Sequence, residues 1–461
     1  MTAKEARELV RNLFLKTLPH LQVGPKMKEM VRLRNGVLEI SGDRIPLHEG
    51  RPVRVVALGK AAIEMTHTLA EILPEVRLRG VVAAPADPRV PLAGFEYYKG
   101  GHPYPNDQSW RAAEAALSLL DQRNVTADDL VIFLISGGGS SLIEMPIVSV
   151  QARPTLDDLR KLCELLVTCG ARIEEINTIR KHFSRIKGGR LAQAASQGIH
   201  AEFFEPTRAP QQVTLYMSDV TENLPSMVAS GPSMPDETTL KSCNFALGRN
   251  RLTSKLPAPY SDLWFSGNLK ETPKSGDECF SKSRYYCLLS NWNAVEKLEE
   301  LAEAAGIMVE TDSRCDDWNF QKAAEYLLDM LRALRKENPG EPVAIISGGE
   351  LSCPVTGDGM GGRNQAFVLD CVGKIVAQPI IVLSAGTDGI DGNSPAAGAI
   401  ADGESSSRAM ALRLDPADYL HRSDSYHFFE KLGDSIITGP TGTNVRDLRL
   451  LLAYPEAESL P

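Results

Sequence analysis

The sequence predicts an α/β protein whose sheets are mainly parallel. Strand-like segments alternate with helix-like segments along most of the chain, as they do in α/β architecture. The strand-like segments are short apolar runs rich in valine, isoleucine and leucine, which is typical of strands buried on both faces. With 461 residues the chain is too long for one ordinary core, so we expect two or three domains.

In the first half of the chain, apolar runs and helical patterns follow one another closely. The predicted strands are 53–58, 80–84, 131–135 and 213–217. The predicted helices are 60–73, 109–120, 155–168 and 188–196. This succession indicates a first α/β domain over residues 1–245.

The composition changes after this domain. Residues 243–284 are rich in serine, lysine, proline and glycine and show no sustained period, which indicates an irregular connection over 246–284. Order resumes in a second α/β domain over 285–461. Its predicted strands and helices are strand 285–289, helices 293–304 and 316–336, strand 343–346, helix 362–376 and strand 380–383.

Composition excludes several classes of protein. The formal net charge of −9 argues against a nucleic-acid partner, because binding to phosphate backbones requires basic surfaces. Eight cysteines occur without a CxxC pair or zinc-ligand spacing, so we expect reduced thiols. No apolar run approaches the ~18 residues of a membrane span, and the first residues form an amphipathic pattern without an apolar signal core. We therefore expect a soluble, cytoplasmic protein.

Three of the predicted strands end in glycine-rich polar turns, at 136–141, 347–350 and 386–392. Glycine leaves backbone N–H groups accessible and permits positive φ, so such turns can bind anions at the carboxyl edge of a parallel sheet. The first turn provides the candidate phosphate-binding or substrate-binding residues Ser136, Gly137, Gly138, Gly139, Ser140 and Ser141. The alternative is a tight strand-to-helix turn, and no lysine follows at the P-loop position.

Two basic residues, Lys60 and Arg363, lie at sequence positions from which a side chain can contact an anionic ligand. Lys60 lies where the strand 53–58 passes into a helix, and an ammonium there can neutralise a transferring phosphoryl group. The alternative is a solvated surface lysine. Arg363 follows the glycine-rich stretch 357–362, which we interpret as a mobile loop with glycine hinges that brings the guanidinium to an anion. The alternative is a surface loop with a capping role.

The stretch 357–362 also has the formal spacing GxGxxG of a dinucleotide-binding turn. The strand before it is interrupted by Pro354, and no acidic residue follows at about 20 residues, where such a site needs one. The GxGxxG spacing nevertheless makes an NAD-dependent hydroxy-acid dehydrogenase the alternative function. A sensor that binds a ligand without turnover is a further alternative.

Carboxylates stand at or near the predicted strand ends, at Asp219, Glu350, Asp388 and Asp391. Such groups suit Mg²⁺, which needs only one or two protein carboxylates, or they can accept the proton of a substrate hydroxyl. We predict Asp219 as the catalytic carboxylate and the other three as metal ligands. Asp391 has a turn-forming role as its alternative, because glycines surround it. His102 lies in a proline-rich turn and favours a structural role.

The ordered series of motifs closely resembles the glycerate 2-kinase family with a C-terminal MOFRL domain. The motifs are Leu-Gly-Lys-Ala-Ala (58–62), Gly-His-Pro (101–103), Ser-Gly-Gly-Gly-Ser-Ser (136–141), Ile-Arg-Lys-His (179–182), Lys-Gly-Gly-Arg-Leu (187–191), Ser-Asp-Val (218–220), Ser-Gly-Pro (230–232), Ser-Gly-Gly-Glu (347–350), Gly-Gly-Arg-Asn-Gln (361–365), Gly-Thr-Asp-Gly-Ile-Asp-Gly (386–392) and Gly-Pro-Thr-Gly-Thr-Asn-Val (439–445). Each motif is weak alone, but the ordered series is specific.

The resemblance implies two three-layer α/β/α domains with an active site in the cleft between them. It implies ATP-dependent phosphorylation of D-glycerate at the 2-hydroxyl with Mg²⁺, and it is compatible with a homodimer. The family's functional lysine and arginine would fall on Lys60 and Arg363. Asn364 and Thr387, which lie in two of the matching motifs, are further candidates for contacts with substrate or phosphate.

Overall fold

The computed structural model describes residues 1–121, 125–150, 152–197, 209–220 and 224–455. The chain divides into two compact units. Met1–Gln22 and Leu289–Pro461 form one of them, here called the terminal unit, and Val23–Leu288 form the other, here called the middle unit. Within the described residues, no helix combines the length and the apolar character that crossing a membrane requires.

Strands and helices alternate along both units, so the predicted α/β class is confirmed. The strands are β1 (Val31–Arg34), β2 (Val37–Ile40), β3 (Asp43–Pro46), β4 (Val53–Leu58), β5 (Leu78–Ala84), β6 (Phe95–Lys99), β7 (Leu130–Ile135), β8 (Gln211–Met217), β9 (Ser283–Leu289), β10 (Met308–Thr311), β11 (Val343–Gly348), β12 (Ile380–Gly386), β13 (Gly398–Asp402), β14 (Ser435–Ile436) and β15 (Asp447–Ala453). Each strand that was predicted from an apolar run is present.

The helices begin and end close to the predicted limits where amphipathic periods were clear. They are α1 (Ala3–Thr17), α2 (Val23–Met30), α3 (Ala62–Ile72), α4 (Asp107–Leu119), α5 (Gly139–Leu142), α6 (Leu156–Thr168), α7 (Ile173–Phe183), α8 (Arg190–Gln197), α9 (Leu240–Arg249), α10 (Ala258–Phe265), α11 (Asn291–Ala304), α12 (Phe320–Glu337), α13 (Arg363–Val372), α14 (Ser405–Ala411), α15 (Pro416–His421) and α16 (Ser425–Leu432). Short 3₁₀ helices cover Leu18–Leu21, Pro225–Ser230 and Glu278–Phe280.

The middle unit is built on a six-stranded sheet with the order β6-β5-β4-β7-β8-β9. The pairings from β6 to β8 are all parallel, as predicted. Every residue of β7 is buried, which explains its uninterrupted apolar sequence. Leu58 pairs with Ile135 in the register of β4 and β7. The segments that follow these two strands therefore start side by side at the carboxyl edge of the sheet.

The terminal unit contains a sheet with the order β10-β11-β15-β12-β13-β14. It differs from the predicted parallel arrangement, because β15 lies between β11 and β12 and runs antiparallel to both. Since β11 and β12 share one direction, their carboxyl ends still lie at the same edge. The amino end of β15 lies at this edge too, between them.

The division of the chain also differs from the predicted domain boundaries. Residues 246–284 are not an irregular connection, since they contain α10 and the end of α9. Tyr260 and Leu263 of α10 are buried in a core cluster with residues of α6 and α7. The strand β9, predicted to open the second domain, pairs in the sheet of the middle unit. Frequent proline and glycine hid these short helices from a periodicity argument.

The first helix belongs to the terminal unit, although the rest of that unit begins almost 270 residues later. Helix α1 packs against α11 and β12, and Phe14 on its inner face is fully buried. Arg7 donates to Asp402 at 2.6 Å and also pairs with Asp434. The N-terminal helix is therefore an integral part of the core around the C-terminal sheet.

We expect Phe14→Ala to destabilise the terminal unit by about 3–5 kcal/mol, because it leaves a cavity in a packed core. The change would be measured as a lower free energy of unfolding in denaturant titrations. Phe265→Ala is the matched control, since Phe265 is 70% exposed and its loss should cost less than about 0.5 kcal/mol. Equal effects of the two substitutions would contradict the docking of α1.

Candidate active site

In the middle unit, the ends of β4 and β7 are joined by close backbone contacts. Gly59 has φ +117°, and a Cβ on it would lie 2.4 Å from the carbonyl oxygen of Ser136. The amide of Ala61 donates to Ser136 Oγ at 3.0 Å, and the amide of Lys60 donates to the carbonyl of Gly137 at 2.9 Å. Only glycine fits at position 59, and the resulting turn fixes the backbone of Lys60 beside the predicted anion-binding turn.

The glycines of the 136–141 turn allow charged groups to rest directly on the backbone. A Cβ on Gly137 would lie 2.1 Å from Asp219 Oδ2, and a Cβ on Gly138 would lie 3.3 Å from Lys60 Cγ. Lys60 is exposed, so its ammonium remains open to solvent. The structure thus brings together three of the predicted elements of the site, namely Lys60, Asp219 and the turn.

The serine hydroxyls of this turn have protein partners. Ser140 Oγ lies 2.8 Å from Ser230 Oγ, and Ser230 in turn donates to Asn177 Oδ1 at 3.1 Å. Ser141 Oγ lies 3.0 Å from His102 Nδ1. These contacts hold the turn in one conformation, so its backbone is better placed than its hydroxyls to bind an anion.

His102 belongs to this cluster, although its sequence context favoured a structural role. A Cβ on Gly138 would lie 3.7 Å from its ring carbon Cε1. Burial, followed by the positive charge of Lys60, lowers the pKa of His102, which favours the neutral imidazole. The histidine follows β6, a strand in which every residue is at least partly exposed and which therefore has no continuous apolar run in the sequence.

Two buried ion pairs lie behind the turn. Lys181 Nζ lies 3.0 Å from Asp236 Oδ1, and Lys187 pairs with Glu144, which also accepts from Ser184 Oγ at 2.5 Å. Both lysines are 1% exposed. The matching motif 187–191 therefore contributes a lysine that ties the segment after α7 to the segment after α5.

In the terminal unit, Arg363 is the first residue of α13 and is held by two carboxylates. Its Nε and Nη2 donate to Asp447 Oδ2 and Oδ1 at 2.5 and 3.1 Å, and Nη2 lies 2.9 Å from Glu350 Oε1. Burial lowers the pKa of Arg363, but Asp447 and Glu350 offset this effect, so that the pKa is raised overall. The guanidinium is therefore fixed between the end of β11 and the start of β15.

Asp391 caps the same helix. Its Oδ1 accepts from the amide of Asn364 at 3.1 Å, and its Oδ2 accepts from the amide and the side chain of Gln365 at 2.9 and 3.0 Å. Burial raises the pKa of Asp391 to about 6. With both oxygens bound to α13, Asp391 acts as a helix cap rather than a metal ligand. This capping role differs from the turn-forming role that the sequence left open, because the amides that Asp391 binds lie on α13 and not in the turn 386–392.

The other predicted residues of this unit have varied surroundings. Asp388 Oδ1 accepts from the amide of Ile390 at 3.1 Å. Asn364 is buried and accepts from Ser384 Oγ at 2.6 Å, and Thr387 donates to the carbonyl of Arg446 at 2.7 Å. Asn364 therefore supports the side chain of Ser384 on β12, and Thr387 supports neighbouring backbone. Among the residues that the structure describes, no three His, Cys, Asp or Glu side chains come together as a metal-binding group.

Sequence reasoning missed several residues that build this edge. Arg446 donates to both oxygens of Asp316 at 2.7 and 2.6 Å, and Asp316 Oδ1 accepts from the amide of Glu350 at 2.9 Å. Arg449 on β15 is fully buried and donates to the carbonyls of Gly348 and Gly349. The sequence signal for these residues was the alternation of charged and apolar residues over 447–450, which becomes interpretable once β15 is placed.

The glycine-rich stretch 357–362 is packed rather than hinged, so the mobile-loop interpretation is wrong. A Cβ on Gly359 would lie 2.6 Å from the carbonyl oxygen of Arg422, and the amide of Gly359 donates to that oxygen at 3.0 Å. The amide of Met360 donates to Asp424 Oδ1 at 3.0 Å. Because glycines have no side chain, the stretch 357–362 can pack closely against the segment between α15 and α16.

Comparisons with known proteins give relatives over most of the chain. Residues 9–263 match the family described as Domain of unknown function (DUF4147), and residues 343–447 match the MOFRL family. A D-glycerate 2-kinase from Thermotoga maritima is 36% identical over 400 residues, which are 86% of this chain and 89% of that relative. A protein from Agrobacterium vitis named putative hydroxypyruvate reductase is 36% identical over 405 residues, 86% of each chain.

A solved structure supports the same relationship. The crystal structure of a glycerate kinase from Thermotoga maritima has a TM-score of 0.79 and 31% sequence identity to this chain. The similarity covers 98% of this chain and 100% of that one.

The proximity of Lys60 to His102 can be tested by titration. We expect Lys60→Met to raise the pKa of His102, because a nearby cation that disfavours the imidazolium is removed. The measurement is an NMR pH titration of the His102 ring protons. Lys60→Arg is the control and should leave the pKa low, since it keeps the charge. An unchanged titration in Lys60→Met would place the ammonium away from the ring.

Proposed function

This chain belongs to the glycerate 2-kinase family, and we propose that it catalyses ATP-dependent phosphorylation of D-glycerate at the 2-hydroxyl. The hydroxyl oxygen attacks the γ-phosphorus of ATP, the bond from that phosphorus to the bridging oxygen breaks, and ADP leaves. The hydroxyl proton is released to a base. The products are 2-phospho-D-glycerate and ADP.

The observation that carries this proposal is the cluster of Lys60, Asp219 and the glycine turn at the carboxyl edge of the middle sheet. Phosphoryl transfer requires little covalent chemistry from a protein, and positioning with charge neutralisation supplies most of the catalysis. Lys60 provides a cation for the phosphoryl oxygens. Asp219, whose carboxylate would contact a Cβ on Gly137, provides a carboxylate that can orient the hydroxyl and accept its proton.

Arg363 is the second proposed catalytic cation. Its guanidinium is 35% exposed while its partner Asp447 is 2% exposed, so one side of the fork is held and the other faces solvent. A planar guanidinium held in this way has a fixed direction in which it can bind phosphate or carboxylate oxygens. We assign it to the stabilisation of negative charge on the reacting phosphates.

Mg²⁺ is the proposed metal, and two of the three carboxylates that were predicted as its ligands fit this role. Asp391 is engaged as a helix cap, which leaves Glu350 and Asp388 as the predicted oxygen donors. One or two protein carboxylates suffice, because Mg²⁺ keeps several waters and binds substrate phosphates. When bound, the ion neutralises charge on the phosphates of ATP.

The competing function is an NAD-dependent hydroxy-acid dehydrogenase. The name of the Agrobacterium vitis relative, putative hydroxypyruvate reductase, suggests this function. The argument from sequence for that function was the GxGxxG spacing at 357–362. A dinucleotide-binding turn needs its glycines for close approach of a pyrophosphate, whereas here Gly359 approaches the backbone at Arg422. The kinase is therefore the function that these contacts support better.

The reaction is tested by incubating the protein with Mg-ATP and D-glycerate and identifying the product by phosphorus NMR. We expect 2-phosphoglycerate and ADP in equal amounts. A parallel assay follows NADH oxidation with hydroxypyruvate as substrate. Formation of 3-phosphoglycerate would overturn the assigned position, and NADH oxidation without any phosphoglycerate would favour the dehydrogenase.

The two cations are tested by substitution. We expect Lys60→Ala and Arg363→Ala each to lower kcat by about 10²–10³, because each removes a charge that stabilises the transition state. Lys241→Ala and Arg11→Ala are the matched controls, since both residues are exposed and should leave kcat unchanged. Arg363→Lys keeps the charge but loses the fork, so it should recover only part of the activity. Near-normal turnover in either alanine variant would remove that residue from the mechanism.

A further inference from the structure

A cavity of about 760 Å³ lies within the terminal unit and includes Arg363 in its wall. Its apolar lining comes from four places in the chain, namely Phe320 at the start of α12, Leu351 after β11, Ala366 on α13, and Leu420 on α15. The volume is within the range of roughly 300–1,000 Å³ that is usual for sites of small organic ligands. It is far larger than a three-carbon acid such as glycerate requires.

The lining combines apolar and polar side chains. Apolar atoms make up most of its exposed surface, and Arg363 presents a guanidinium that is about one third exposed. Val355 is 82% exposed although it belongs to this lining, so an apolar side chain stands open at the rim. A ligand that complements these features has an apolar part and an anionic part.

The cavity is also preformed. Thr356, on its wall, donates to the carbonyl of His421 at 2.8 Å, and its amide donates to Ser423 Oγ at 2.9 Å. Gly361 lies so close to α16 that a Cβ on it would be 2.2 Å from Ser425 Oγ. The wall formed by 356–362 is thus fixed to the segment 421–425, and little ordering is left for a ligand to impose.

From these features we propose that the cavity binds the nucleoside part of ATP, with the phosphates directed toward Arg363. This inference rests on the proposed kinase function, and it assigns the nucleotide to the terminal unit. The base contacts the apolar lining around Leu351 and Ala366. Glu350, with its side chain 32% exposed, is the partner of Arg363 that can yield to phosphate, whereas the buried Asp447 continues to hold the guanidinium.

The first test is a rim substitution with little risk to folding. We expect Val355→Glu to raise the KM for ATP about tenfold and to leave the KM for D-glycerate unchanged, because a negative charge at the rim repels the nucleotide. Val90→Glu is the matched control, since Val90 is 68% exposed and lies in the middle unit. Unchanged KM for ATP in Val355→Glu would contradict the proposal.

A second variant fills the cavity from within. Ala366→Leu adds volume beside Arg363, and we expect a loss of affinity for Mg-ADP of at least about tenfold in calorimetric titrations. The thermal unfolding temperature of this variant shows whether α13 remains in place. The binding measurement does not require turnover. If Mg-ADP binding is weakened by Val355→Glu or Ala366→Leu but the wild-type protein does not phosphorylate glycerate, the nucleotide site in the cavity is upheld and the proposed kinase reaction is overturned.

Photolabelling locates the nucleotide directly. The wild-type protein is irradiated with 8-azido-ATP, and the labelled peptides are identified by mass spectrometry. We expect label within 351–366 or 416–425, suppressed by excess ADP and not by D-glycerate. Label confined to the middle unit, for example at 58–62 or 136–141, would overturn the proposal and place the base there.

Discussion

The chemistry of both units depends on which strand ends share one edge of a sheet. In the middle unit, parallel pairing of β4 and β7 brings Gly59 next to Ser136, and the turn that follows supports Lys60 and Asp219. In the terminal unit, the insertion of β15 between β11 and β12 places Asp447 beside Arg363. In each case a strand pairing brings together side chains that are far apart in the chain.

Burying a charged side chain costs free energy unless an opposite charge pairs with it. Buried ion pairs therefore hold their two side chains in fixed positions. Removing one partner of a buried pair typically costs about 3–5 kcal/mol, whereas the intact pair adds little to stability. Asp447 is 2% exposed and accepts hydrogen bonds from two of the three guanidinium nitrogens of Arg363. The pairs Lys181–Asp236 and Lys187–Glu144 are buried on both sides. Such pairs keep the loops that carry the candidate active-site residues in one arrangement.

Close packing at glycines has the same effect on the backbone. At Gly59 and Gly359, neighbouring carbonyl oxygens occupy the space that a side chain would need. The glycine-rich stretch 357–362, which the sequence predicted to be a mobile loop, is therefore tightly packed. Preorganised groups suit phosphoryl transfer, because catalysis by charge stabilisation is largest where no reorganisation is needed during the reaction.

The sequence by itself determined the features that are local. Runs composed largely of apolar residues identified β4, β7, β11 and β12, since a strand buried on both faces is mostly apolar. The glycine turns and Lys60 followed, because their positions depend only on where a strand ends. The ordered motifs also indicated the family, which the relatives confirm.

Tertiary structure alone decided how the strand ends combine. The position of β15 places Asp447 on Arg363, and the fold brings His102 to Lys60 and Asp391 to the start of α13. It also decided that α1 belongs with the C-terminal sheet. These contacts join residues separated by tens to hundreds of positions. They depend on strand order and register, which arise from the packing of the whole core and leave no periodic signal in the local sequence.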